Sequence, residues 1–135
     1  LKREHTIGHS RIDFLLQKND EQLFLEVKSV TLVEKGVAKF PDAVTERGRK
    51  HLHHLAELQK EGNNCMVLFV VQRPDARLFK PQWERDPKLG HALRYAFESG
   101  VKVHVIKSEL TKEMMNYLGE IPFDLKEPGN SELQK

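Results

Sequence analysis

The stretch that decides the fold is residues 22–30, which read Gln-Leu-Phe-Leu-Glu-Val-Lys-Ser-Val. Alternate positions are apolar and would form one face of a β-strand: Leu23, Leu25 and Val27. Glu26 and Lys28 fall on the opposite face together with Phe24, because successive side chains of a strand point to opposite sides. A carboxylate and an ammonium group are therefore expected side by side on this strand.

A second strand is predicted immediately upstream, at residues 10–17, where apolar and polar positions alternate. The polar residues 18–21, centred on Asn19 and Asp20, are typical of a hairpin connection. A hairpin that turns there brings Asp13 opposite Glu26. A further short strand over residues 4–8 would carry Glu4.

Carboxylates as close as Asp13 and Glu26 repel each other unless a cation or a proton lies between them. Mg²⁺ prefers such oxygen ligands together with phosphate, and Mn²⁺ is the alternative ion. A neighbouring lysine, here Lys28, can orient or deprotonate water or neutralise phosphate charge. Glu4 is a further acid for the pocket. A cross-strand salt bridge also explains the Glu-x-Lys triplet, and the spacing of the residues leaves both interpretations open.

The middle of the chain is predicted as a loop at 31–42 and a helix from about Ala43 to Glu61, which Gly62 ends. Val44 is placed on the packing face of that helix. The apolar run 65–71 predicts a central strand that is buried on both faces.

The rest of the chain is predicted as a loop at 72–83, a helix capped by Asp86 with Pro87 at its first position, and a strand at 101–105. A short helix is expected after Thr111, and the polar tail from about Lys126 is expected to be disordered.

These elements predict an α/β fold with a mixed central sheet flanked by helices. The expected domain spans residues 1–110, and residues 111–135 form the short helix and a flexible tail. The chain has 135 residues, which is enough for one domain with a real core. It begins at Leu1, and we interpret it as a fragment of a longer protein.

The net charge is only +2, but basic residues are concentrated between positions 35 and 60. Arg47, His51 and His54 fall on one flank of the predicted helix, spaced four and then three positions apart. That flank would border the sheet, where a phosphate backbone can lie. A solvated basic face is the alternative interpretation.

Cys65 is the only cysteine, so no intramolecular disulfide is possible, and we expect a reducing cytoplasm. It is predicted to be a small buried apolar residue. No apolar run approaches the roughly 20 residues of a membrane helix, so a membrane partner is not expected. The histidines have no cysteine partners, which argues against a zinc site.

Three segments together resemble one bacterial and archaeal family, the sugar fermentation stimulation protein A family. They are Arg-Ile-Asp-Phe at 11–14, Glu-Val-Lys-Ser-Val-Thr-Leu at 26–32 and Phe-Pro-Asp-Ala-Val-Thr-Glu-Arg-Gly at 40–48. The string Phe-Val-Val-Gln-Arg-Pro-Asp-Ala at 69–76 fits the same family. The resemblance covers the chain up to about Glu109.

The resemblance implies a DNA-binding protein linked to regulation of sugar (maltose) metabolism. It also implies an N-terminal OB-fold, which is absent from these residues, followed by a PD-(D/E)xK nuclease-type, restriction-endonuclease-like domain. By this likeness Asp13, Glu26 and the Val27 carbonyl hold Mg²⁺, Lys28 assists the attacking water, and Glu4 is an accessory acid. Ile12 stands where that superfamily often has proline.

The sequence thus supports three hypotheses. The first is a DNA-binding protein whose backbone contacts are Lys39, Arg47, Arg49 and Lys50, with His51 beside them. The second is an active Mg²⁺-dependent endonuclease that uses Asp13, Glu26 and Lys28. The third is a protein-interaction domain in which Glu26 and Lys28 form an inert salt bridge.

Overall fold

Within the part of the chain that the structure describes, the fold contains two sheets and two helices. The computed structural model describes residues 2–7, 10–18, 21–110 and 115–129, with the backbone alone over the first two strands. Its elements are β1 (Lys2–Ile7), β2 (Ser10–Lys18), β3 (Glu21–Val30), β4 (Leu32–Glu34), β5 (Val37–Phe40), α1 (Glu46–Lys60), β6 (Asn64–Val71), β7 (Leu78–Pro81), α2 (Pro87–Glu98), β8 (Lys102–Leu110) and β9 (Met115–Glu120).

The large sheet has the order β1-β2-β3-β6-β8-β9. Its first three strands form an antiparallel meander, whereas β3, β6 and β8 are parallel and β9 returns antiparallel to β8. The parallel pairs are joined through α1 and α2, as parallel strands require long crossovers. The prediction of a mixed α/β sheet with helices is therefore confirmed.

One face of the large sheet is covered by α1, α2 and the small sheet β4-β5-β7. Along β6 the positions that point to this side are fully buried: Cys65, Val67, Phe69 and Val71. The positions between them, Met66, Leu68 and Val70, are half-buried. The prediction that this strand is buried on both faces was wrong, because the covering elements all lie on one side.

Both predicted loops contain short strands, so those predictions were wrong. Residues 31–42 hold β4 and β5, joined at Lys35 and Gly36, whose φ angles of 52° and 82° suit a tight hairpin turn. Residues 72–83 hold β7, which pairs in parallel with β5. Strands of three or four residues are too short for alternation to stand out in a sequence.

The helix starts are set by side-chain caps. Thr45 is the N-cap of α1, and its Oγ1 accepts the Gly48 N–H at 2.9 Å. The predicted start at Ala43 was therefore too early. Val44, predicted to pack, lies before the helix and is 69% exposed.

The cap of α2 agrees with prediction, and Asp86 does more than cap its own helix. Its Oδ1 accepts the Leu89 N–H at 3.0 Å, and its Oδ2 accepts the Thr45 N–H at 2.9 Å. One buried carboxylate thus ties together the beginnings of both helices.

At the C-terminal end, a strand stands close to where a short helix was expected. Residues 111–114 lie outside the described residues, and β9 occupies Met115–Glu120. Residues 124–129 have no regular secondary structure. The remainder of the expected tail, 130–135, also lies outside the described residues.

Candidate functional site

The most unusual group in the core is the carboxylate of Glu26, which is 1% exposed at the middle of β3. Its Oε1 lies 2.9 Å from Lys28 Nζ and 3.0 Å from His51 Nδ1. His51 belongs to α1, whose packing on the sheet brings it there. These three residues, Glu26, Lys28 and His51, are called the buried cluster below.

Burial makes these contacts necessary, because an isolated carboxylate loses its hydration when it is removed from water. The Lys28 side chain remains 15% exposed, so the cluster reaches solvent along this side chain. His51 is only 6% exposed. The cluster therefore has a closed acidic end and an open basic end.

The contacts also indicate which histidine nitrogen carries the proton. Lys28 Nζ lies 3.4 Å from His51 Nδ1, whereas Glu26 Oε1 lies 3.0 Å from it. An ammonium group can only donate and a carboxylate can only accept. The shorter contact favours an Nδ1–H that donates to Glu26, which leaves Lys28 to donate to the same carboxylate.

Asp13 and Glu4 occupy the two register positions next to Glu26 across the sheet. In the antiparallel pair β2-β3 the register runs from Lys18–Glu21 to Phe14–Leu25, and its continuation by one position would set Asp13 against Glu26. In β1-β2 the pairs Arg3–Phe14 and His5–Ile12 flank the position where Glu4 meets Asp13. Three acidic residues therefore stand in one row of the sheet.

The chemistry of this row fits a hard divalent cation, since carboxylate oxygens are the donors that Mg²⁺ and Mn²⁺ accept. Val27, whose carbonyl was predicted as a ligand, lies between Glu26 and Lys28 on β3, with its side chain half-buried. Within the described part of the chain, no three His, Cys, Asp or Glu side chains lie close enough together to hold a metal.

The predicted DNA-contacting residues are divided between three places. Arg47, Arg49 and Lys50 lie at the start of α1, where Glu46 is 3.8 Å from Arg49 and 3.5 Å from Lys50. Arg47 is exposed. This end of the helix thus presents cations next to one acid.

Lys39 and His51 lie elsewhere. Lys39 is on β5, 3.5 Å from Glu34. His51 points inward to the buried cluster, so its side chain is not available on the outer surface of α1. The sequence placed it on the flank of the helix that borders the sheet, but it gave no sign of contact with Glu26.

Sequence reasoning also missed Lys80 and Trp83, because their segment was predicted to be a loop. β7 places Lys80 directly beside Lys39. Phe79 and Pro81 are buried and alternate with Leu78 and Lys80, but four residues are too few for this alternation to be recognised in the sequence.

No helix among the described residues combines the length and the apolar character that crossing a membrane requires.

Comparison with known proteins shows which family the chain resembles. The family described as "Sugar fermentation stimulation protein RE domain" matches residues 1–114. Proteins named sugar fermentation stimulation protein homolog are similar in sequence. The one from Clostridium perfringens strain SM101 is 43% identical over 122 residues, which is 90% of this chain and 53% of that protein. The one from Clostridium kluyveri strain ATCC 8527 is 46% identical, over 93% of this chain and 55% of that protein.

The sugar fermentation stimulation protein homolog from Pyrobaculum islandicum is 43% identical, over 90% of this chain and 53% of its own length. The chain therefore spans about half the length of the curated relatives that it matches. A solved structure is also similar, with a TM-score of 0.87 and 32% identity over 92% of this chain and 54% of that one. It is described as Pyrococcus furiosus SfsA in complex with Ca²⁺.

Proposed function

The chain belongs to the sugar fermentation stimulation protein family, and from this premise we propose that it is a DNA-binding domain with a restriction-endonuclease-like core and a divalent-cation pocket. In the whole protein, the proposed role is regulation of sugar (maltose) metabolism in the cytoplasm. The pocket consists of Asp13, Glu26 and the Val27 carbonyl, with Glu4 as an accessory acid.

The observation that carries this proposal is the burial of Glu26 beside Lys28, with Asp13 and Glu4 at the neighbouring register positions. A purely structural salt bridge needs only one acid and one base. Replacing buried ion pairs by apolar residues is often neutral or stabilising, so such a pair is weak evidence for a role in stability alone. An acidic row with a partly exposed lysine at its edge suits a phosphate ester and a cation.

The Ca²⁺ named for the similar Pyrococcus furiosus protein supports the choice of a divalent cation. Mg²⁺ or Mn²⁺ is proposed for this chain. When bound, the ion supplies positive charge next to a phosphate group and polarises its oxygens. The proposed ligands in this chain are the carboxylates of the acidic row described above, whose oxygen donors suit Ca²⁺, Mg²⁺ and Mn²⁺.

The residues of the chain have separate roles in this scheme. The exposed end of Lys28 neutralises phosphate charge and orients a water molecule towards it. His51 is a positioning residue that holds the Glu26 carboxylate through its Nδ1–H. Arg47, Arg49 and Lys50 contact the DNA backbone from the first turns of α1, and Lys39 contacts it from β5. Such contacts place the DNA without reading its sequence.

The second candidate function is hydrolysis of DNA phosphodiesters. It is favoured by one observation, the position of Lys28 Nζ at 2.9 Å from a carboxylate, on a side chain that remains 15% exposed. A base or water-orienting group must reach the substrate, and a buried lysine would not. The catalytic residues proposed are Asp13, Glu26 and Lys28.

Thermal unfolding with and without divalent ions tests the pocket. Mg²⁺ or Mn²⁺ at 100 times its Kd should stabilise the wild type by about 2.7 kcal/mol through ligand linkage. Asp13→Asn should lose most of this shift, whereas Asp75→Asn, an exposed acid on a distant loop, should keep it. An equal shift in both variants, or no shift in the wild type at millimolar ion, would refute the pocket.

A combined gel-shift and plasmid-nicking assay tests DNA binding and DNA cleavage. We expect binding that weakens in an Arg47→Ala, Arg49→Ala double variant. Nicking by the wild type but not by Lys28→Ala would identify an endonuclease. Intact binding without nicking would leave a DNA-binding role for the fold. Absence of both, in a folded protein that binds the ion, would favour a protein-interaction domain.

A further inference from the structure

A second polar site lies on the small sheet. β5 and β7 are parallel neighbours, and their register places Lys39 directly beside Lys80. The buried neighbours Ala38 and Phe79 point towards the core, so the two lysines lie on the outer face of the sheet. Like charges directly opposite each other destabilise a strand pair. A negative charge between the two lysines would therefore stabilise this arrangement.

The two lysines line a surface cleft of about 430 Å³. Lys35 adds a third ammonium group from the β4-β5 turn, and the Arg77 guanidinium packs against the neighbouring Gly36. The acids at the cleft are Glu34, which lies 3.5 Å from Lys39, and Glu84. Within the described residues, Lys35 and Lys80 have no acidic partner, so the cations remain in excess.

Trp83 forms a wall of the same cleft and is 7% exposed. Its benzo edge packs on Gly90, where a Cβ would come within 2.5 Å of Cζ3. The pyrrole edge lies on the other side of the ring, and its Nε1–H has no acceptor among the described residues. A buried donor without an acceptor destabilises the folded state.

From the paired lysines, the third lysine and the unsatisfied indole N–H, we propose that this cleft binds a phosphate-type oxyanion. The anion would lie between Lys39 and Lys80 and relieve their repulsion. The Trp83 N–H, which is shielded from water and has no acceptor among the described residues, is proposed as a further donor to the bound anion. Phosphate is favoured because it offers several acceptor oxygens to separate ammonium donors.

The site does not depend on the cation pocket or on DNA binding. A phosphate group can come from a nucleic-acid backbone or from a free phosphorylated molecule, and both present the same chemistry to the cleft. Removing the lysines should lower the affinity for DNA if the phosphate belongs to a nucleic-acid backbone. It should leave the affinity for DNA unchanged if the phosphate belongs to a free molecule.

The first test uses Trp83 as the reporter, because it is the only tryptophan in the chain. Inorganic pyrophosphate is titrated at constant ionic strength, with sodium chloride making up the difference, while tryptophan fluorescence is recorded. The wild type should show a saturable change. The Lys39→Met, Lys80→Met variant should bind at least tenfold more weakly, with its melting temperature checked to confirm folding.

A matched variant, Lys88→Met with Lys102→Met, removes the same charge from exposed positions outside the cleft. It should bind like the wild type. Calorimetric titration of Trp83→Phe tests the N–H, and we expect a weakening of several-fold. No saturable change in the wild type, or the same affinity in both double variants, would overturn the proposal.

The second measurement is anisotropy of a labelled DNA duplex at several salt concentrations. If the lysine variant binds DNA more weakly with a shallower salt dependence, the cleft holds a backbone phosphate. If DNA binding is unchanged while pyrophosphate binding is lost, the cleft holds a free anion. A wild type that binds pyrophosphate but no DNA would refute the proposed function and leave this site intact.

Discussion

The buried cluster on the large sheet and the cleft lined by Lys39 and Lys80 on the small sheet, called the lysine cleft below, differ in how their charges are compensated. In the buried cluster, one carboxylate lies within 3.0 Å of both an ammonium group and an imidazole. In the lysine cleft, two ammonium groups are paired by strand register, and Glu34 approaches only one of them. The first arrangement is compensated within the fold, and the second is left to solvent or a ligand.

The difference follows from burial. Water screens the lysines on an exposed face, so their repulsion is small. It cannot screen Glu26, so the fold must supply the partners. Charge that the fold leaves uncompensated on a surface is therefore better evidence for an external ligand than charge that it compensates inside.

The largest expected effect comes from breaking the buried cluster. Glu26→Ala leaves Lys28 and His51 without their shared acceptor and should lower the free energy of unfolding by about 3–5 kcal/mol. Lys80→Ala, the matched change in the cleft, should stay within about 0.5 kcal/mol of the wild type. Urea unfolding measures the free energy of unfolding of both variants. If Glu26→Ala does not fold, Glu26→Gln is measured in its place. Equal losses in the two regions would contradict the comparison.

Asp86 offers an intermediate case, because N–H donors and not cations satisfy its buried carboxylate. Asp86→Ala should cost about 1–3 kcal/mol, since two helix starts lose an acceptor. Asp86→Asn keeps one acceptor oxygen and should cost less. An alanine variant as stable as the wild type in urea would show that the link between the helices is dispensable.

Cys65 shows what happens to a buried ionisable group without a charge partner. Burial raises the pKa of its thiol from 9.0 to about 12, so the folded protein holds the proton more tightly than the unfolded chain. This contribution to stability is complete below pH 9 and is lost as the pH rises towards 12, by about 1.4 kcal/mol per pH unit. Urea unfolding at pH 8 and pH 10 should show the fall.

Cys65→Ala is the control, and its stability should fall less over the same pH interval. Thiol labelling at pH 8.5 gives an independent measure, because only the thiolate reacts. Labelling of the folded protein as fast as that of the urea-unfolded chain would contradict the raised pKa.

The smallest effect concerns the cleft itself. Lys80→Met removes the repulsion with Lys39 and should stabilise the protein by about 0.2–0.5 kcal/mol in low salt. The gain should vanish near 1 M salt, where the screening length is about 3 Å. Lys102→Met, an exposed change on β8, should show no such salt-dependent gain. A loss of stability in low salt for Lys80→Met would mean that the lysine pair is not repulsive.

The sequence was most informative where the signal is local. Alternation along 22–30 placed Glu26 and Lys28 on one face, and the hairpin predicted between residues 10–17 and 22–30 is the antiparallel pair β2-β3. The cap at Asp86 followed from the Asp-Pro pair. Each of these inferences depends on neighbours within a few positions or on one tight turn.

The sequence was least informative where distant segments meet. A helical wheel put His51 on the correct flank but could not show which strand residue it touches, 25 positions away. Lys80 belongs to a strand too short to recognise by alternation, and Trp83 lies two residues beyond its end. The cation, the DNA contacts and the domain limits stay predictions, because ligand binding depends on partners that the fold alone does not identify.

The chain order of the two polar regions has a consequence for biosynthesis. Glu26, Lys28 and His51 precede Val71, the end of the strand β6 on which α1 packs. Trp83 is made after His51 by roughly 2–6 s at synthesis rates of about 5–20 residues per second. The contacts of Glu26 with Lys28 and His51 can therefore form on a nascent chain. The hydrogen bond from the Thr45 N–H forms only after Asp86 has been synthesised, and the cleft is complete only after Trp83 has been synthesised.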